Sequence, residues 1–486
     1  MSRINLRFVC AMLGKIHLLE SVFMLPAVVV AWLCRETDLC PLLLSSGIML
    51  AAGGLFLLAG RGADRRAIGR REGMLTVALT WTLLSFFGMM PLFIGGYVPN
   101  MTDAYFESMS GFTTTGATIL TDVEALPHGI LFWRSLMQWQ GGIGIIVCTA
   151  ALMPAFGGTV SQLFDAETSG ITHEHFLPRV TQIAKRFFGL YLGLTLLLIL
   201  LLRAAGPMSL FDAVNHALTT VSSGGYSTRN AGISHWHQPG VEYLLCFFMC
   251  LSATNITLLY FLIRRQWKKA LGNTELRWFY TLTGVAVAIT FAWLFFRRDG
   301  EGAELIFRKS LFQVTSLIST TGFRTADIST WGPFFTVVAL FLMTVCGCAG
   351  STSGGLKTGR FLILVKNMLN EFKRQMHPNA VISVRLREQV IPALVVQRVQ
   401  TFAFVYMALL VAGCAVFLLD GLAFEDALGV TVSAISNIGP ALGRFADGDF
   451  HALPLVSKWV YSFLMLTGRL EIFTVLTLLL PGFWKR

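Results

Sequence analysis

The apolar positions of this chain gather into runs long enough to cross a bilayer, which takes about 20 helical residues. Two such runs come first, at about 7–33 and 41–60. Further runs follow at about 74–96 and 130–153, 186–204 and 240–263, Trp278 to Arg297, Trp331 to Phe372, 393–419 and 455–480. From the third run onward they fall into pairs, and each pair encloses a short polar stretch. The first reads Ser110-Gly111-Phe112-Thr113-Thr114-Thr115-Gly116-Ala117-Thr118. It is a poor helix, because Thr competes for backbone hydrogen bonds and Gly adds backbone entropy. It has no alternation that would make it a strand. At membrane depth such backbone survives only inside protein or along a water-filled path.

The stretch recurs. Asp103-Ala104, Asp212-Ala213 and Asp426-Ala427 each stand thirteen residues before Gly116, Gly225 and Gly439, and Lys309-Ser310 stands at the same offset before Gly322. The residues ending on those glycines are Thr113-Thr114-Thr115-Gly116, Ser222-Ser223-Gly224-Gly225, Ser319-Thr320-Thr321-Gly322 and Ser436-Asn437-Ile438-Gly439. The segment before each glycine is helix-compatible but too short to span, so it is expected to be re-entrant. Repetition at a fixed offset marks repeat architecture. Four copies predict pseudo-fourfold symmetry about a pore.

Composition agrees. The 486 residues are 54% hydrophobic and 13% charged, about half the charged share of a soluble domain. The net charge of +11 lies in loops between apolar runs, which fits topology determinants rather than nucleic-acid binding. The basic linker from Arg61 to Arg71, the group Arg264, Arg265, Lys268 and Lys269, and the closing Trp484-Lys485-Arg486 all fall on one side, expected to be cytoplasmic. Arg297-Arg298 falls on the other, softened by Asp299, Glu301 and Glu304. The N-terminus, with Arg3, Arg7 and Lys15, reads as an uncleaved first helix. Both termini are therefore expected in the cytoplasm. Of nine cysteines, only Cys34 and Cys40 share a short loop where a disulfide could form. His173 and His175, in the loop from Pro154 to Ala184, are two apart and share no helical face. A solvated loop is the expectation there.

The four polar stretches suit a monovalent cation. Glycine lets the backbone aim successive carbonyls inward, and neutral oxygens can replace a hydration shell and still release the ion. A divalent-ion filter would call for carboxylates, and these stretches hold none. The fourth, Asn437-Ile438-Gly439-Pro440, diverges most, which should relax discrimination and let rubidium and some sodium pass. Arg324, two residues after Gly322, is an awkward cation beside a cation path and is expected to pair with Asp327 or another outer carboxylate. Asp103, Asp212 and Asp426 are read as helix N-caps. The outer carboxylates, among them Glu107, Asp122, Glu124, Asp447 and Asp449, could also concentrate cations at the mouth.

In the long sixth pair member, Val345 to Lys357 breaks the helix with Gly347, Gly350, Gly354 and Gly355 and several hydroxyls. Backbone freed there must line a cavity, so this segment reads as a gate. In the last run, Gly468-Arg469-Leu470-Glu471 interrupts the apolar pattern, and an ionisable residue at that depth is a functional candidate. Arg469 carries five donors, and free carbonyls of the broken helix are natural acceptors. It is read as a latch on the closed gate.

Four helix–pore-loop–helix units with one filter glycine each make the chain resemble the Trk/Ktr/HKT superfamily of potassium transporters over nearly its whole length. The resemblance implies an all-α polytopic membrane protein, with four pseudo-symmetric units around a central pore and two extra N-terminal transmembrane helices. The implied division is 1–72 for the two extra helices, then pore units at 73–184, 185–274, 275–392 (with an intramembrane gating loop at 345–357) and 393–486. Potassium would be the transported and filter-bound ion, held by Thr114, Thr115 and Gly116, Ser223, Gly224 and Gly225, Thr320, Thr321 and Gly322, and Asn437, Ile438 and Gly439. In the superfamily, glycine at all four filter positions goes with potassium, and serine at the first with sodium. The gate would comprise Gly347, Gly350, Gly354, Gly355, Lys357 and Arg469. The implied setting is the bacterial inner membrane, where members form homodimers with a pore in each protomer. A cytosolic nucleotide-binding regulatory subunit (Trk A-like) would dock on the basic loops at Arg264–Lys269 and Lys373–Arg387. No P-loop or dinucleotide fingerprint stands in this chain, so no organic cofactor is expected on it. The competing readings are a sodium-selective or sodium/proton-coupled HKT-like transporter and a membrane-embedded enzyme. The enzyme would need clustered carboxylates or a Ser/His or Cys/His constellation, which the sequence lacks.

Overall fold

The long apolar runs fold as helices because lipid leaves each backbone N–H and C=O to be satisfied within its own segment. The structure, a computed structural model, describes residues 4–62, 69–152, 176–297, 301–387 and 389–485. Among these, six helices are long and apolar enough to cross a membrane, or eight if each of two bent pairs is one span. Their outward faces carry large exposed apolar residues such as Leu55, Phe404 and Val411, as lipid contact requires. The protein is an all-helical membrane protein; the only strands among the described residues are Arg385–Leu386 and Gln389–Val390, a short antiparallel pair that the sequence reading did not include.

The first two helices, Leu6–Cys34 and Leu39–Ala59, pack closely through small residues. A Cβ on Gly14 would lie 2.7 Å from the Leu57 amide nitrogen, and one on Gly53 would lie 3.0 Å from that of Leu18. In lipid such backbone approach substitutes for a hydrophobic drive between helices. Cys34 and Cys40 are both free and exposed, so the loop between these helices carries no disulfide.

Each later unit has an outer helix, a short pore helix and an inner helix. The pore helices are Met101–Phe112, Leu210–Val221, Ala303–Ile318 and Phe424–Ser436, of 12, 12, 16 and 13 residues. At a rise of about 1.5 Å per residue, all fall short of the ~30 Å hydrocarbon core. Asp103, Asp212 and Asp426 sit in their first turns but are not the caps. Asn100 and Ser209 cap the first two, and Ala423, with no side-chain acceptor, precedes the fourth. Freed from capping, the three carboxylates bind cations: Asp103 takes Lys458, Asp212 takes Arg229, and Asp426 takes Arg444.

The inner helices depart most from the sequence pattern. The first, His128–Leu152, is continuous. The second breaks into Pro239–Ser252 and Ile256–Ile263 with a bend of 108°, where a single run was expected over 240–263. The fourth breaks into Leu455–Arg469 and Ile472–Leu479 with a bend of 120°. The third stops at Val345 and resumes at Thr358, running to Met376. The loop holding His173, Glu174 and His175, part of the first basic linker, Arg298, Asp299 and Arg486 lie outside the described residues.

Candidate functional site

Each pore helix ends in the same way. Thr114, Ser223, Thr320 and Asn437 adopt left-handed backbone, with φ of 53°, 55°, 59° and 54°. The N–H of the following residue turns back five positions: Thr115 to Ser110 O, Gly224 to Thr219 O, Thr321 to Ser316 O and Ile438 to Ser433 O, at 2.8–3.1 Å. The left-handed residue itself bonds three back, to Gly111, Thr220, Leu317 and Ala434. This is the Schellman ending of a helix, usually built on glycine. Here it is built on hydroxyl or amide residues, at a strain of about 1–3 kcal/mol each. These eight amides are thus spent on their own helices, which leaves the loop carbonyls free to face elsewhere.

The glycine two residues later is left-handed again, with φ of 82° at Gly116, 78° at Gly225, 79° at Gly322 and 93° at Gly439. Their Cα atoms close a ring. A Cβ on Gly116 would collide with the Gly224 carbonyl, one on Gly225 with that of Thr321, and one on Gly322 with that of Ile438. One on Gly439 would lie 2.7 Å from the carbonyl oxygen of Thr115. The order runs one, two, three, four and back to one. Four helix C-termini therefore converge on one axis, and their partial negative ends favour a cation there.

Side chains behind the four loops fix that geometry. Gln138 Nε2 donates to the Gly224 carbonyl at 2.9 Å, while its Oε1 accepts from the Tyr226 amide at 3.1 Å. The Tyr226 hydroxyl donates to the Glu107 carbonyl at 2.9 Å. Glu107 is fully buried and bonded to Arg134 at 2.7 Å, whose guanidinium lies 4.2 Å from the Tyr226 ring centroid. In unit four, Ser433 Oγ donates to the Gly439 carbonyl at 2.7 Å. Asn437 Nδ2 reaches across to Thr115 Oγ1 at 3.0 Å, tying the fourth loop to the first. Arg134 and Gln138 escaped the sequence reading. Their signal was present: two polar residues one helical turn apart in an apolar inner helix.

On one side the four loops open into a cavity of about 190 Å³, lined by Gly116, Gly225, Gly322 and Pro440 together with Asp447, Asp449 and Arg324. Burial and the neighbouring Asp447 hold the Asp449 carboxyl above the ordinary range, whereas the Asn230 amide holds exposed Asp122 below it. Arg324 makes no ion pair among the described residues; Asp327 instead caps a short turn, accepting from Ser329. The expected pairing is not made because Asp327 serves its own backbone.

On the other side lies the 346–357 loop. Thr352 Oγ1 shares a hydrogen bond with Ser223 Oγ at 2.7 Å, and the Gly354 amide donates to Thr320 Oγ1 at 3.2 Å. Gly354 also abuts the Ser436 carbonyl so closely that a Cβ would collide with it. The loop thus touches the ends of the second, third and fourth pore helices. Gly347 lies against the Ala253 carbonyl, and Gly350 and Gly355 adopt φ of 72° and 71°. Lys357 ends the loop at φ 72°, just before the helix that starts at Thr358. Arg469, buried at the break of the fourth inner helix, donates to the Thr352 carbonyl at 2.6 Å and to the Gly141 carbonyl at 2.8 Å. A guanidinium therefore ties the loop to the inner helix of unit one.

Glu275, in the first turn of the third outer helix, also went unnoticed in the sequence. Its Oε1 accepts from the Ala349 amide at 2.6 Å and the Gly359 amide at 2.9 Å, one near each end of the loop. Just before it, Gly272 accepts from Arg387 at 3.3 Å, which brings the two basic loops side by side.

Residues 46–483 match the family model described as TrkH, cation transport protein. The Trk system potassium uptake protein TrkH of Halomonas elongata is 35% identical over 99% of this chain and all of its own length. That of Escherichia coli K12 is 37% identical over 90% of this chain and 91% of its own. The crystal structure of the potassium transporter TrkH from Vibrio parahaemolyticus superimposes with a TM-score of 0.90, at 33% identity and 99% coverage of both chains.

Proposed function

The chain belongs to the TrkH family of cation transport proteins, and from that membership we propose that it carries potassium into the cell across the bacterial inner membrane. The observation that carries this reading is the closed ring of four left-handed glycines, each facing the carbonyl of the next filter. An ion on that axis exchanges water for neutral carbonyl and hydroxyl oxygens, which bind a weakly hydrated monovalent cation without trapping it. The filter comprises the residues from Thr114 to Gly116, Ser223 to Gly225, Thr320 to Gly322 and Asn437 to Gly439, within pore units at 73–184, 185–274, 275–392 and 393–486. Potassium is the cargo, and the chain needs no organic cofactor.

The loop at 345–357 is the gate. Crossing the path beneath the filters, it occludes the ion route until it moves, and Arg469 latches it shut while adding a repelling charge. A cytosolic nucleotide-binding subunit docks on the joined basic loops and pulls on the helix from Thr358 to Met376. Glu275 transmits that pull, because it holds both ends of the loop and follows directly on the docking face. The protein works as a homodimer with both termini in the cytoplasm. The test is rescue of growth at limiting potassium in a host stripped of potassium uptake, with rubidium tracer and sodium as competitor. Correct membrane insertion without rescue or rubidium entry would overturn the reading, and sodium displacing rubidium at equal concentration would turn it to a sodium carrier.

A further inference from the structure

Three arginines line the cavity at the mouth of the filters: Arg134, Arg229 and Arg324. Two are neutralised. Arg134 is bonded to Glu107 at 2.7 Å, and Arg229 to Asp212 at 3.3 Å and to Glu124 at 3.7 Å. Arg324 is half-buried in the wall and makes neither an ion pair nor a side-chain hydrogen bond among the described residues.

The repeat explains why. In units two and four the pore-helix acid reaches forward to an arginine just beyond the filter: Asp212 to Arg229, and Asp426 to Arg444 at 2.7 Å. Unit three has its arginine nearer, two residues after Gly322 rather than the four and five of Arg229 and Arg444, and it has Lys309 where the acid should stand, turned to Glu301. One full positive charge is left facing the cavity.

That cavity would otherwise suit a divalent ion. Asp447 and Asp449 share its wall with the filter backbone, and carboxylates beside carbonyls are the ligand set of Mg²⁺ and Ca²⁺. We propose that Arg324 is a specificity-determining residue, an electrostatic discriminator that keeps divalent cations from occupying the mouth and blocking uptake. This rests on the reading of the four loops as a cation path. A fixed charge changes local ion concentration by a Boltzmann factor that scales with valence, so a factor f for a monovalent ion becomes f² for a divalent one. A unit charge about 7 Å away through water makes f roughly threefold, and the divalent factor about ninefold.

The experiment measures rubidium uptake by the full chain in proteoliposomes, titrated with external Mg²⁺, for the parent, Arg324→Gln and Arg324→Lys. The Gln variant should lower the half-saturating rubidium concentration about threefold and the half-inhibiting Mg²⁺ concentration about ninefold. The Lys variant should match the parent, and both gaps should shrink at high ionic strength. Arg324→Ser repeats the comparison should the Gln variant insert poorly. A Mg²⁺ shift no larger than the rubidium shift, or a Lys variant that behaves like Gln, would overturn the proposal. A parent that carries no rubidium at all would instead remove the cation path, and this inference with it.

Discussion

Arg469→Ala should open the pore in the absence of any partner. The buried guanidinium makes two charge-assisted bonds, to Thr352 O at 2.6 Å and Gly141 O at 2.8 Å. Hydrogen bonds to charged groups contribute about 1.5–3 kcal/mol each, so together they stabilise the closed arrangement by roughly 3–6 kcal/mol. Part is recovered on opening, when carbonyls and guanidinium meet water. If about 3 kcal/mol is specific to the closed state, its loss shifts the closed-to-open ratio by a factor on the order of 100. A gate open about 1% of the time would then be open about half the time. Lys keeps the charge but lacks the pre-organised planar fork that holds two separate carbonyls at once, so Arg469→Lys should fall between parent and Ala. Bilayer recordings separate latch from electrostatic repulsion. A released latch raises open probability at unchanged unitary conductance, whereas a removed charge raises conductance at unchanged open probability. A correctly inserted Arg469→Ala protein with the parent's open probability would refute the latch.

Gly116→Ser adds a Cβ at φ 82° against the Gly224 carbonyl; a distortion of about 1.4 kcal/mol between ions lowers the potassium-to-sodium permeability ratio roughly tenfold. Bi-ionic reversal potentials equal to the parent's would contradict this. Glu275→Gln keeps the acceptor for Ala349 and Gly359 but removes its charge, and should raise partner-free flux several-fold, about 1 kcal/mol of loop restraint; unaltered flux would remove Glu275 from the gate. Neutralising Arg264, Arg265, Lys268 and Lys269, all exposed, should weaken binding of the regulatory subunit while selectivity stays. Because such residues also set orientation, loop accessibility is measured alongside, and undiminished binding in correctly oriented protein would end the docking role.

What the chain disclosed before folding follows the range of the forces involved. The apolar runs and the thirteen-residue spacing were legible because both are set within a unit: each pore helix ends in one Schellman turn, and the turn dictates where glycine must stand. The break in the second inner helix was not legible. Asn255 caps the helix that follows, accepting from the Thr257 amide, which is an N-cap signal masked by apolar residues on both sides. Its real determinant is in another unit. The Ala253 carbonyl left free by the break accepts from Cys348, and the Ile256 amide donates to Gly350, so the second break and the loop of the third unit satisfy each other. The fourth break does likewise, through Arg469 to Thr352 and Glu471 to Arg360. Arg324 shows the same limit from the opposite side. Sequence proximity offered Asp327 as its partner, but the partner its unit lacks is the acid replaced by Lys309, fifteen positions earlier and on another element. Bonds whose two ends lie in different repeats leave no periodicity in any one of them, and in this protein those are the bonds that meet around the ring of four glycines.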